Sequence, residues 1–180
     1  MFIVSLYKIA NNELIWGRPT AKKYREIILE QWDEDKEETL VLDFSSIALV
    51  DYSAACELIG VPISRLQSEL KDKHVIIRNA TSEVAENINV ALHRQELCCM
   101  NILDENKYEL LGKWSAGLKD IIDSLYVKRK ADSRALAEEL KTTIQVINNR
   151  TTTLYKLGLI KRESYDAPTG GKQYIYESII

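Results

Sequence analysis

The apolar positions of the chain follow two successive rhythms. Over residues 1–112 short apolar runs alternate with stretches of helical period, and from Trp114 three helical stretches precede two of period two. Residues 2–9 alternate and are rich in β-formers, Asn11 and Asn12 make a turn, and residues 13–16 can return as a second strand, which predicts an opening hairpin. Pro19 suits the first turn of a helix running to about Trp32, with Ala21, Tyr24, Ile27, Ile28 and Gln31 at helical spacing, before an acidic loop over 33–38. Residues 39–44 (TLVLDF) and 74–78 (HVIIR) are continuous apolar runs of the kind that fill a covered sheet. A helix is predicted from Ser53 towards Glu69, kinked at Pro62. Another covers 82–94, with Ser82 as N-cap and Val84, Ile88, Ala91 and Leu92 inward. Residues 100–103 and 108–111 close the unit as a strand or hairpin around Asp104, Glu105 and Asn106. The alternation of strands and helices predicts an α/β layer over 1–112.

In the second regime the first helix covers about 115–128, with Leu118, Ile121, Ile122 and Leu125 inward, and the second covers 133–140. The third starts at Thr142, where Gln145 three residues on fits a capping box, and Gly158 ends it. Strands follow at 160–165 and 173–178, around a loop over 166–171 rich in turn formers. On the third helix Ile144, Ile147, Leu154 and Leu157 share a face with Thr151. Gln145, Asn149, Thr152 and Lys156 cluster opposite, with Asn148 flanking them. Those are hydrogen-bonding side chains of the kind that read base edges or phosphates in a major groove.

Charge sharpens this division. Residues 1–113 carry 13 Lys and Arg against 19 Asp and Glu, whereas residues 114–180 carry 11 against 8, so only the second part is suited to approach a polyanion. No apolar run approaches the roughly 20 residues of a bilayer span, and residues 1–10 have no basic leader region, so a cytoplasmic location is expected. Cys56, Cys98 and Cys99, with only His74 and His93 beside them, offer no zinc spacing and are read as structural. No glycine-rich phosphate loop, nucleophile elbow or metal cluster occurs, and Asp43 and Asp51 are read as structural carboxylates, so neither an enzyme nor a cofactor is expected.

Two stretches resemble known families. Residues 136–140 (LAEEL), 146–150 (VINNR) and 157–160 (LGLI), with Leu154 and Arg162, resemble the winged helix-turn-helix domain of bacterial and archaeal transcription regulators. The resemblance implies a recognition helix over 142–157 in the major groove of double-stranded DNA and a basic wing touching phosphate or the minor groove. The implied contact set is Thr143, Gln145, Asn148, Asn149, Arg150, Thr152, Lys156, Lys161, Arg162 and Lys172. For Arg150 a phosphate contact and an ion pair with Glu138 or Glu139 stand side by side. Residues 41–60 (VLDFSSIALVDYSAACELIG) and 79–92 (NATSEVAENINVAL) resemble the STAS fold of anti-sigma-factor antagonists, with Tyr52 and Ala54 where that family has Ser and Gly. In that family the residue at the position of Ser53 is phosphorylated by a partner kinase; a helix N-cap worth about 1 kcal/mol is the other reading of Ser53.

The expected architecture is thus a STAS-like α/β domain over 1–112 followed by a small α+β winged helix-turn-helix domain over 113–180. The expected function is that of a homodimeric DNA-binding regulator whose first domain dimerises or senses a signal or protein partner. An anti-anti-sigma-type interaction switch at Ser53, whose winged helix docks protein, is the alternative.

Overall fold

A computed structural model describes residues 1–66, 68–70, 72–104, 107–166 and 172–180. The chain is mixed α/β and divides into two compact units, Met1–Trp114 and Ser115–Ile180.

The first unit is built on a five-stranded sheet in the order β1 (Phe2–Ser5), β3 (Thr39–Asp43), β5 (His74–Arg78), β6 (Cys98–Asp104) and β7 (Lys107–Gly112). The first four are parallel and β7 runs antiparallel to β6. Every residue of β3 is buried, as a continuous apolar run in a covered parallel strand requires. The expected opening hairpin does not form. After Ser5 the chain turns into a short helix, α1 (Leu6–Ala10), whose first turn is capped by the Ser5 hydroxyl and which ends at Asn11 in a left-handed conformation, φ 48°. Asn11 therefore ends a helix, and β2 (Leu14–Ile15) pairs in parallel with β4 (Leu49–Val50) while β1 lies beside β3.

Helix α2 (Arg18–Asp35) runs three residues further than its apolar spacing suggests and takes in half of the expected acidic loop. Its Trp32 is buried, with Nε1 donating to the Glu37 carbonyl at 2.8 Å. The predicted helix over 53–69 is three pieces: α3 (Tyr52–Ala55), a π-helical turn (Cys56–Gly60) and α4 (Val61–Arg65). Proline 62 lacks an N–H, and the wider π-turn just before it lets the Val61 N–H reach back to the Cys56 carbonyl. The cap of α3 is Asp51, not Ser53, and the cap of α5 (Ser82–Arg94) is Thr81, not Ser82. The inward set Val84, Ile88, Ala91 and Leu92 is fully buried. Residues Glu105 and Asn106, placed by the sequence in the β6–β7 turn, lie outside the described residues.

In the second unit α6 (Ala116–Lys128), α7 (Ser133–Glu139) and α8 (Ile144–Lys156) stand with an antiparallel sheet in the order β8 (Lys130–Asp132), β10 (Lys172–Ser178), β9 (Ile160–Asp166). The short β8 strand carries no apolar alternation, and its place follows from pairing with Ile175–Glu177. Ile121, Ile122, Leu125, Leu136, Ile147, Leu154, Ile160 and Tyr176 are buried and make the core. Much of the expected loop between β9 and β10, residues 167–171, lies outside the described residues. Among the described residues no helix is long and apolar enough to cross a membrane.

Candidate nucleic-acid interface

Two cap geometries aim α8. Lys141 takes a left-handed φ of 48°, which brings the Thr142 N–H to the Ala137 carbonyl at 3.0 Å and closes α7. Thr143, not Thr142, is the N-cap, its Oγ1 accepting from the Val146 N–H at 3.3 Å. Gln145 is consequently the second residue of the helix rather than the third, so no reciprocal capping box forms and its amide is left on the exposed face. Gly158, φ 69°, ends the helix as expected.

The apolar face holds at Ile147, Thr151 and Leu154, all fully buried. Ile144 departs from it: it is 45% exposed. Together with Asn148 and Thr152, one and two turns on, it lines a cleft of about 520 Å³. The other walls come from the first turn of α7 (Ser133, Arg134) and from the hairpin (Arg162, Lys172, Tyr174). Among the described residues three cations line this cleft against one carboxylate, Asp132, whose Oδ1 accepts from the Ala135 N–H that it caps. The field in the cleft therefore favours an anion.

Three local arrangements decide which atoms the cleft offers. The Ser133 hydroxyl donates to Asn148 Oδ1 at 2.5 Å, which takes one of that oxygen's two lone pairs and leaves the NH₂ of the amide as a donor. The hydroxyls of Thr151, Thr152 and Thr153 donate to the carbonyls of Ile147, Asn148 and Asn149 at 2.9, 2.7 and 3.1 Å. The exposed Thr152 and Thr153 therefore turn their methyl groups, rather than their hydroxyls, away from the helix. The Arg162 guanidinium carbon lies over two rings, 4.0 Å from the centre of Tyr155 on α8 and 4.6 Å from that of Tyr174 on β10.

Of the residues singled out by the sequence, Asn148, Thr152, Arg162 and Lys172 are thus brought together in one cleft. Gln145, Asn149 and Lys156 are exposed on α8 outside its lining, and Thr143 is engaged as a cap. Lys161 is half-buried and opposite Glu177 in the strand register. Arg150 is turned the other way: its guanidinium lies on α6 where a Cβ at Gly117 would overlap it. Glu139, one partner considered for it, instead accepts from Ser124 at 2.5 Å and from Lys128 at 2.9 Å. Ser133, Arg134, Tyr155 and Tyr174 are not among the expected contacts, and Ile144 is expected on the buried face. Period two along β10 puts Lys172, Tyr174 and Tyr176 on one face and could have flagged the tyrosine; nothing local marks Ser133 as the partner of Asn148.

In the first unit the Ser53 hydroxyl donates to Asp51 Oδ2 at 2.9 Å, and Asp51 Oδ1 accepts from the N–H groups of Gly17 and Ala54 at 3.2 and 2.8 Å. Asp43 accepts from Arg78, Asn79 and both the amide and hydroxyl of Ser45. Burial works against the charge on Asp43, but these donors outweigh it and hold the carboxyl well below the usual range. All three cysteines are buried free thiols, and burial pushes Cys98 up to about 12. Among the described residues no group of three or more His, Cys, Asp or Glu is placed to hold a metal ion.

No family model matches the chain, and no curated protein matches it.

Proposed function

We propose that the second unit is a winged helix-turn-helix domain that binds double-stranded DNA, and that the chain is a transcription regulator. The observation that carries this reading is the exposed side of α8: Gln145, Asn148, Asn149 and Thr152 are uncharged and polar, and the adjoining cleft is rimmed by Arg134, Arg162 and Lys172. An idle surface helix more often mixes Glu and Lys, whereas a helix that enters a major groove needs directional donors and acceptors with cations at its flanks for phosphate. The order helix, helix, turn, helix, hairpin agrees with the reading, and the third strand β8 backs the hairpin. The first unit is the STAS-like part in this proposal, with β3 ending in Asp43 and a helix opening after Asp51, and it serves dimerisation or sensing. Two copies would present two such helices to a two-fold site.

A mobility shift on random and genomic duplexes at graded salt tests the function. Binding that weakens steeply with salt is expected, and no binding even at low salt would overturn the proposal. The interaction switch at Ser53 has less support, because that hydroxyl is hydrogen-bonded to Asp51 and a phosphate there would stand beside its carboxylate.

A further inference from the structure

We infer that the stripe Ile144–Asn148–Thr152 reads thymine in the major groove. The inference rests on the DNA-binding reading and specifies the base that one row of α8 selects.

The three residues lie one turn apart and all line the cleft. Each end of the row offers a methyl group. Ile144 is 45% exposed although its period assigns it to the buried face. Thr152 has its hydroxyl turned onto the Asn148 carbonyl at 2.7 Å, which leaves its γ-methyl outward. The middle of the row offers the Asn148 NH₂ as a donor, while one of the two lone pairs of its Oδ1 is already taken by Ser133 at 2.5 Å. Among the four bases, the major-groove edge of thymine alone combines a methyl group with an acceptor, O4. Adenine would need both atoms of an asparagine amide, N6–H₂ donating to Oδ1 and N7 accepting from the NH₂, and Ser133 competes with N6–H₂ for Oδ1. Cytosine presents a donor at the position of O4, which would face the Asn148 NH₂ without a partner. Guanine has acceptors but no methyl to meet Ile144 or Thr152. Arg134 and Lys172 at the rim supply charge for the flanking phosphates without choosing a base.

The test uses the full chain and duplexes selected by it from a random-core pool. At each selected thymine, replacement by deoxyuridine removes only the 5-methyl group, and replacement of the pair by 5-methylcytosine–guanine keeps the methyl but exchanges O4 for an amino group. Deoxyuridine at the contacted positions is expected to weaken wild-type binding about four-fold per methyl lost. The 5-methylcytosine pair should weaken it more. Ile144→Ala and Thr152→Ser, the latter keeping the hydroxyl bond and losing only a methyl, should each make one position indifferent to deoxyuridine. Ser133→Ala frees Asn148 Oδ1 and should bring adenine into the selected sites. Wild-type binding that is equal for thymine and deoxyuridine at every position overturns the thymine stripe while leaving DNA binding intact. A chain that selects no duplex at all overturns both readings.

Discussion

The guanidinium carbon of Arg162 sits 4.0 Å above the ring centre of Tyr155, so the first strand of the hairpin is fastened to α8 by a cation on an aromatic face. The same guanidinium carbon lies 4.6 Å from the ring centre of Tyr174, so two aromatic rings attend one cation. Lysine cannot stack in this way. Arg162→Lys is expected to destabilise the second unit by about 1 kcal/mol in urea unfolding, and Tyr155→Leu to cost a similar amount. Combined, the two changes should cost clearly less than their sum, since each removes the same contact.

Arg150 separates packing from charge. Its guanidinium lies against Gly117 on α6, which packs α8 onto the first helix of the unit. Arg150→Met, which keeps an unbranched stem, should leave the slope of log affinity against log salt as in the wild type. Lys172→Ala should reduce that slope by about 0.9. Salt titrations of the two variants on one duplex check this, and a reduced slope for Arg150→Met would show that it contacts phosphate.

Asp43 gives the first unit a pH dependence of known sign. Its folded carboxyl is held below the ordinary value by Asn79, Ser45 and Arg78 acting against burial. The stability it contributes is therefore complete above about pH 4 and drains away as the pH falls below that value. Asp43→Asn should lower the stability of the unit by about 2 kcal/mol at neutral pH. Between pH 5 and pH 3 its urea midpoint should fall less than that of the wild type.

Glu57 and Arg25 form an ion pair whose side chains are only 9% and 12% exposed, with Arg18 3.6 Å from the other carboxylate oxygen. Removing one buried partner strands the other. Glu57→Ala should cost about 3 kcal/mol, and pairing Glu57→Leu with Arg25→Met should recover much of it. Thermal unfolding of the single and double variants measures the difference.

The sequence made some of this legible and hid the rest for identifiable reasons. Residues 39–44 and 74–78 announced buried strands because a covered strand has no polar side to blur its pattern, and the helix over 82–94 had a clean inward face. Helix starts were displaced where two oxygen-bearing residues compete within a step or two: Asp51 caps instead of Ser53, Thr81 instead of Ser82, and Thr143 instead of Thr142. The choice within each pair depends on where the following helix must pack, which is not local. Residues 2–9 misled in another way, because alternation over eight residues conceals that Ser5 caps a helical turn and that β1 finds its partner 38 residues away, at Leu40 to Asp43. In the candidate site, the polar set on α8 could be read from its period. That Ser133 engages one end of Asn148, and that the Thr152 hydroxyl turns back onto the helix, depends on contacts a sequence pattern does not contain.

The π-turn ahead of Pro62 makes the count of residues matter there as much as their kind. Each residue added to or removed from a helix swings everything beyond it through about 100°. Residues 54–60 are buried without interruption, and Ile63 on the far side is buried as well. A conservative exchange such as Ile59→Val would be felt as a small cavity. Because the π-turn holds one residue more than an α-turn, a one-residue deletion in 56–60 would close it to an α-turn and leave Ile63 in register, whereas a one-residue insertion would rotate α4 and carry Ile63 out of the core. Related chains that keep this packing could therefore be one residue shorter here but not one residue longer.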